Sequence, residues 1–411
     1  MSVKGSATAG YKQMIEPSEA LELVLAHTPR GRIESVPIAQ ALGLTAAQEV
    51  KADRDYPPFD RAMMDGFAVR LADAGMEVDV TGEVTAGKVW VGQLQDAHCA
   101  AITTGSACPT GSQAVVPKEL VELHDGKVVL PAELIKGKHI AAKGSECRAG
   151  TTVLKAAEEI TALGIANLAM FGWGNVRVYD RPRVSVIVTG DEIVRAGQEP
   201  GECEIRDSNG PMLTALIEQA GAQLGKVVDA RDTLDEVTDA INRVADGSDI
   251  VLLSGGVSVG KCDYVPEALE TFGARIVFHK VKQRPGKPLL FAVKEGQLFF
   301  GLPGNPLSGY VGFHRYVRAA ICKLMAKPVE PAQDQGRLTE TVTNKGPRVR
   351  YILAQAASES DTPESYRLEP LLGAGSADIH ATCRANSIIT MPAGEHTYES
   401  GTVIPFEWIG R

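Results

Sequence analysis

Residues 249–281 read DIVLLSGGVSVGKCDYVPEALETFGARIVFHKV. The run from Ile250 to Leu253 is apolar without interruption, as in a strand buried on both faces. A Gly/Ser loop follows. Then comes DYVPEALETFG, with apolar residues at helical spacing and Gly273 as a stop. RIVFHKV is a second apolar run. Strand, loop, helix and strand in this order predict one unit of a parallel sheet covered on both faces. The same pattern extends outward. SVIVTG (185–190) and KVVDAR (226–231) predict strands, and SNGPMLTALIEQAGA (208–222) predicts a helix capped by Ser208 or Asn209. TLDEVTDAINRVADG (233–247) opens on Thr233 and Glu236, a capping-box spacing, and ends on Gly247. LLFAV (289–293) and LFFGL (298–302) follow as a pair, then a long helix from Pro306.

Beyond this stretch the pattern changes. Residues 16–50 read as helical, from Pro17 and Ser18 through Ala20, Leu21, Leu23, Val24 and Leu25. Between Gly66 and Leu134 short β runs such as GFAVRL, VDVTGEV and KVVLPAEL are broken by glycine. Residues 150–172 look helical again. KPVEPAQDQG (327–336) reads as a linker, and RLTETVT, RYILAQAA, YRLEPLL, SIITMPA and TVIPFEW predict a small β-barrel of about five strands. The expected fold is multidomain, α/β plus β. It has a helical linking domain of residues 1–50 and 140–178, a β-rich domain of 51–139, a parallel-sheet α/β domain of 179–326, and a C-terminal β-barrel of 327–411.

Length and composition fit this division. The 411 residues exceed one ordinary core, and 44% apolar with 23% charged residues is ordinary for a globular protein. With 51 acidic against 42 basic residues the net charge is −9, which opposes nucleic acid and anionic membranes as partners. The seven cysteines are scattered without a CxxC pair, so neither a zinc site nor a disulfide framework is expected. The first residues lack an apolar signal region and no run reaches the length of a membrane span, so a cytoplasmic protein is expected.

Open parallel sheets bind ligands outside the carboxyl ends of their strands. Four polar clusters are expected there: Thr189-Gly190-Asp191-Glu192; Asp232; the loop Ser254, Gly255, Gly256, Val257, Ser258 with Asp263 beyond; and Gly301 to Pro306. Each alone reads as a strand-to-helix turn. Together at one sheet end they suit an anion, because Gly/Ser loops present free N–H groups. Acidic side chains beside such an anion would repel it unless a cation lies between, so Glu192, Asp232 and Asp263 point to Mg²⁺. Gly255 to Lys261 matches GxxxxGK, but Cys262 stands where a P-loop needs Ser or Thr, so the match is read as coincidence. HKVKQRPGKP (279–288) is a local positive patch, and alternation would put Lys280, Lys282 and Arg284 on one side, with Lys287 beyond.

FDRAMMDGFAVR (59–70), ITTG (102–105), TGDE (189–192), RDSN (206–209), SGGVSVGKCDY (254–264), RPGKP (284–288) and GLPGNP (301–306) occur in the order shown by the molybdopterin molybdenumtransferases. The chain thus resembles the MoeA proteins, and also the C-terminal domain of gephyrin. The resemblance implies an elongated homodimer with a shared active site. It implies a reaction that inserts molybdenum from molybdate into adenylylated molybdopterin, with Mg²⁺ as cofactor and release of AMP. It places Asp65, Glu192, Asp232 and Asp263 in catalysis, the last three as cation ligands. Thr104, Asp207, Ser208, Asn209, Ser254, Gly255, Gly256, Ser258, Lys280, Arg284, Lys287, Pro303, Gly304, Asn305, Pro306 and Ser376 line the substrate pocket. Molybdopterin adenylyltransferase and recipient molybdoenzymes or their chaperones are implied partners.

Three departures accompany the resemblance. Lys143-Gly144-Ser145-Glu146 stands where relatives carry RGED, Arg284 stands where some have lysine, and Leu353 falls where an arginine is expected, with Arg348 and Arg350 nearby. Three alternatives stand beside this reading: a molybdopterin adenylyltransferase, which shares the α/β unit; a non-enzymatic scaffold; and a pterin-binding paralogue using tungstate or without activity.

Overall fold

The structure is a computed structural model that describes residues 11–257, 263–358 and 366–409. It divides into two compact units, one of residues 1–34 with 178–411, the other of 35–177.

The first unit is built on a seven-stranded sheet. Its order is Lys12–Ile15, Arg275–Val281, Leu290–Lys294, Gln297–Leu302, Ile250–Ser254, Arg183–Thr189 and Gln223–Ala230. The apolar runs face both ways with period two. Val184, Val186, Val188, Ile250, Leu252, Leu298 and Phe300 join one core with the Asn209–Gln219 helix. Ile187, Val251, Leu253 and Phe299 join a second core, with the Leu234–Ala245 and Val265–Phe272 helices. This two-sided burial is why the strands carry almost no polar residue.

The sheet is mixed rather than wholly parallel. Leu290–Lys294 runs antiparallel to both its neighbours, because Lys294–Gln297 is a tight reversal. The four strands that end in polar clusters are parallel to their neighbours among themselves, so those clusters share one edge of the sheet.

Several boundaries differ from expectation. The first helix is Pro17–His27, with Pro17 in its first turn. Pro29 biases Thr28 to extended backbone, observed at φ −72° and ψ 119°, and the helix stops there. Lys12–Ile15 adds a parallel strand beside Arg275–Val281, and Ala20 and Val24 enter the first core. These residues, expected in a helical linking domain, belong to the α/β unit. The later helix is only Ala162–Met170, its start set by the Thr161 hydroxyl accepting from the Gly164 N–H at 3.1 Å. At 208–209 the expected cap is displaced by one residue. Ser208 makes no capping bond; the Asp207 carboxylate accepts from the Gly210 N–H at 2.9 Å instead. Thr233 does cap its helix, accepting from Glu236 N–H at 3.3 Å.

In the same unit, Val349–Ser358, Tyr366–Pro370, Gln333–Leu338, Val403–Trp408 and Ser387–Met391 close into a five-stranded barrel, the last strand pairing back to the first. Leu338, Ile352, Leu368, Ile389 and Phe406 fill it. Its outer wall packs on the Pro306–Gly312 helix through Leu307, Val311, Tyr351, Leu353 and Ile388. The short strand Gln283–Arg284 pairs in parallel with Val349–Arg350.

The second unit carries a six-stranded sheet that includes Gly66–Val69, Glu77–Val84, His98–Ile102 and Ala114–Pro117. Phe67, Val69, Cys99 and Val116 pack on one face and Ala68, Ala100, Ile102 and Val115 on the other.

Candidate functional site

The loops at the carboxyl edge of the seven-stranded sheet meet closely. Gly255 has φ +99°, and a β-carbon there would stand 2.6 Å from Thr189 Oγ1 and 2.8 Å from the Thr189 carbonyl oxygen. Only glycine lets the 254–256 turn lie against the end of the Arg183–Thr189 strand. A β-carbon on Gly304 would be 3.8 Å from Gly255 Cα, so the GLPGNP loop abuts the same turn. Asn209 Nδ2 donates to the Gly304 carbonyl at 2.7 Å, and Asn305 Nδ2 donates to Ser376 Oγ at 2.9 Å. Asp207, Asn209, Gly255, Gly256, Gly304, Asn305 and Ser376 are thereby tied into one loop assembly.

Asp232 lies beside three other carboxylates. Burial raises its carboxyl above the usual range first, and Asp191, Glu192 and Asp263 raise it further. Asp232 N–H also donates to Asp191 at 3.3 Å. Glu192, Asp232 and Asp263 thus share one local field, as expected. Among the described residues, no three acidic, histidine or cysteine side chains are already closed into a ligand set. An accumulation of negative charge that holds a proton unusually well fits a divalent cation, which takes carboxylate oxygens.

The basic residues lie elsewhere, around a cleft of about 480 Å³. Its lining includes Lys287, Pro303, Asn305 and Ser376 from the loops, Arg284 from the short strand, Ser308 from the helix after GLPGNP, and Arg348, Arg350 and Leu353 at and within the barrel strand. Among the described residues, no carboxylate lines it. Leu353 is an apolar wall here, 6% exposed. The barrel's positive charge comes instead from Arg348 and Arg350. From the sequence these two were noted only as neighbours of Leu353 and were not assigned to the pocket, although the RVR triplet before the apolar strand is a visible signal.

Other expectations fare unevenly. Lys280 is not part of the cleft lining, because a left-handed φ of +75° breaks the alternation that would align it with Arg284. Lys282 pairs with Glu16 at 2.6 Å. Ser254 is 2% exposed within the strand, so its side chain is not offered to a ligand. Ser208 is exposed beside the loops, and Pro306 opens the helix after GLPGNP. Ser258 and the end of the GxxxxGK match lie outside the described residues.

In the second unit, Asp65 Oδ1 accepts from Thr104 N–H at 2.8 Å and from Thr104 Oγ1 at 2.7 Å. The backbone N–H, then the hydroxyl, hold its carboxyl below the usual range. The fold contribution of Asp65 is therefore present above the ordinary carboxylate pKa and is lost as pH falls through the lowered value. Thr104→Val deletes the second donor and keeps the first, so the Asp65 pKa should rise part-way to normal in an NMR titration. An unchanged pKa would remove the hydroxyl from that role. Glu146, at the departure from RGED, pairs with Arg61 at 2.7 Å.

Two family descriptions match the chain: the MoeA N-terminal region (domain I and II) over residues 15–172, and a probable molybdopterin binding domain over 185–323. The molybdopterin molybdenumtransferase of Staphylococcus epidermidis (strain RP62A) is 32% identical over 398 residues, covering 95% of this chain and 94% of the relative. The chain belongs to the molybdopterin molybdenumtransferase family. The enzyme of that name from Staphylococcus aureus (strain Mu50) is also 32% identical, over 403 residues. Among solved structures, the molybdopterin biosynthesis moeA protein from Pyrococcus horikosii superimposes with a TM-score of 0.83 at 27% identity, covering 96% of this chain and 99% of that one. Family membership agrees with the expected α/β unit and C-terminal barrel. Among the described residues no helix is long and apolar enough to cross a membrane.

Proposed function

We propose that this protein is a molybdopterin molybdenumtransferase, which inserts molybdenum from molybdate into adenylylated molybdopterin and releases AMP. One observation carries this reading beyond family membership. A carboxylate cluster around Asp232 lies at strand-end loops of the sheet, and a cationic cleft, without an acid among its described lining residues, is lined by Arg284 and Lys287 and by Arg348 and Arg350 at the start of a barrel strand. A multiply charged substrate with a scissile phosphoryl bond and an oxyanion co-substrate needs both kinds of surface.

The residues divide the work as follows. The glycine turn at Gly255–Gly256 and the Gly304 loop give the substrate phosphates close backbone approach. Asn209 and Asn305, each bonded across the assembly, fix the loops before substrate arrives, which lowers the cost of orienting it. Lys287 and the arginines neutralise oxyanion charge. Glu192, Asp232 and Asp263 would hold Mg²⁺, which would offset negative charge at the phosphoryl group. The same carboxylates would help to activate the attacking oxygen.

The purified protein should release AMP from adenylylated molybdopterin only when Mg²⁺ and molybdate are both present. AMP release without molybdate dependence would count against the proposed reaction. A molybdopterin adenylyltransferase would instead consume ATP and form the adenylylated pterin.

We further propose a homodimer in which the Asp65–Thr104 pair of one subunit serves the loops of its partner. The support is the family resemblance. Asp65→Ala and Glu192→Ala homodimers should each be nearly inactive, and an equimolar mixture of the two variants should regain roughly a quarter of wild-type activity, the share expected if one of the two sites in each heterodimer is intact and half the dimers are mixed. Absence of rescue in verified heterodimers would place the site within one subunit.

A further inference from the structure

We infer that His279 is a positioning residue, whose imidazole holds the backbone of the Gly255–Val257 turn in the place where that turn receives the substrate. This rests on reading the turn as the phosphate-binding part of the site.

The sheet puts His279 in an apolar row. His279 pairs with Leu290, Leu290 with Gly301, and Gly301 with Leu253, across four neighbouring strands. Directly opposed residues share one face of a sheet. Leu253 and Leu290 belong to the second core, and His279 is only 6% exposed. An imidazole buried there costs free energy unless it is hydrogen-bonded. A leucine would fill the same row without that cost.

The hydrogen bond of His279 leaves the sheet. Its Nε2 donates to the Val257 carbonyl at 2.8 Å. A carbonyl only accepts, so this nitrogen carries a proton. Val257 directly follows Gly255 and Gly256 and is 1% exposed. Its side chain sits over Gly301, where a β-carbon would meet Val257 Cγ1 at 2.6 Å. Gly301 thus makes room for the side chain of Val257, while His279 holds its carbonyl. Two backbone bonds tie the same turn. Gly255 N–H donates to the Leu302 carbonyl at 3.0 Å, and Val265 N–H to the Gly256 carbonyl at 3.3 Å. The second of these brings the chain just after Asp263 back against the turn.

The turn needs such an anchor. Gly255 and Gly256 both have left-handed φ, +99° and +62°. Glycine takes these angles without penalty, but it is equally free to leave them. Val257 is the first residue of the turn with a side chain, and so the first that packing can fix. N–H groups held in place before the substrate arrives bind its phosphates at lower cost. Deleting the His279 bond should therefore loosen the turn and leave the sheet folded.

The test combines hydrogen–deuterium exchange of the Gly255 and Val265 amides with the KM for adenylylated molybdopterin, on the full-length protein. His279→Leu should speed exchange at both amides at least about tenfold. It should raise KM at least about fivefold, with a smaller change in kcat. His279→Gln, which returns an N–H donor, should bring both readouts to within about twofold of wild type. Ser248→Ala, which removes a buried hydroxyl bonded to the Val244 carbonyl at the other end of the strands, is the control for lost stability alone. Wild-type exchange in His279→Leu would overturn the anchoring, and fast exchange with wild-type KM would reduce the bond to a structural one and overturn the positioning role. If the wild type does not act on the adenylylated pterin, the functional reading fails, and the exchange comparison alone decides whether His279 holds the turn. Should His279→Leu fail to fold, His279→Asn decides, its amide being too short for the place of Nε2: wild-type exchange and KM in that variant count against the role.

Discussion

Glu192→Gln should bind adenylylated molybdopterin as the wild type does and release AMP at least about tenfold more slowly, equivalent to about 1.4 kcal/mol of barrier. The substitution keeps the shape of the side chain and deletes one negative charge from the field that raises the Asp232 carboxyl. A structural role for Glu192 would be served equally well by glutamine, since Glu192 is exposed. A role in holding a divalent cation would not. The variant should also need more Mg²⁺ for half-maximal rate. Unchanged turnover at saturating Mg²⁺ and molybdate would leave Glu192 as an ordinary loop residue.

Gly255→Ala should be the most damaging single-methyl change in the loop assembly. Its φ of +99° is costly for any L side chain, and the added carbon would meet Thr189 Oγ1 at 2.6 Å and the Thr189 carbonyl oxygen at 2.8 Å. The hydroxyl can rotate away, but the carbonyl belongs to the strand. Strain of this kind costs about 1–3 kcal/mol. The loop must also move away from Gly304, so substrate affinity should fall together with stability. Gly197→Ala is the control, because φ there is not left-handed and nothing stands within 4 Å of the added carbon. Equal stability and KM for Gly255→Ala and wild type would mean that the turn is not rigidly placed.

The α/β layer was legible because its strands are buried on both faces. Val184–Val188, Ile250–Leu253 and Leu298–Leu302 therefore appear as apolar runs, separated by helices with their own stop signals. The reversal of Leu290–Lys294 was legible only as a pair of runs, since apolarity does not encode strand direction. Lys12–Ile15 escaped notice because an edge strand buries few side chains: only Ile15 of its four residues is buried. Asp207 displaced Ser208 as the cap because a carboxylate one residue earlier could reach the Gly210 N–H, a choice set by backbone geometry rather than residue type.

The site was legible where chemistry is local in sequence, as at Asp65 and Thr104 through their motifs and at the glycine turn. It was obscure where two distant segments meet. Arg350 gains its meaning from the register with Arg284, 66 positions away by subtraction of the paired numbers. A left-handed φ of +75° at Lys280 breaks the alternation on which its alignment with Arg284 was expected.

The most direct test of the central claim is to measure molybdenum in the pterin product. The protein would be incubated with adenylylated molybdopterin, Mg²⁺ and molybdate, and the pterin isolated and analysed for molybdenum against AMP released. We expect one molybdenum atom in the pterin for each AMP, with both falling together in Glu192→Gln. AMP release that leaves the pterin free of molybdenum would contradict the assignment.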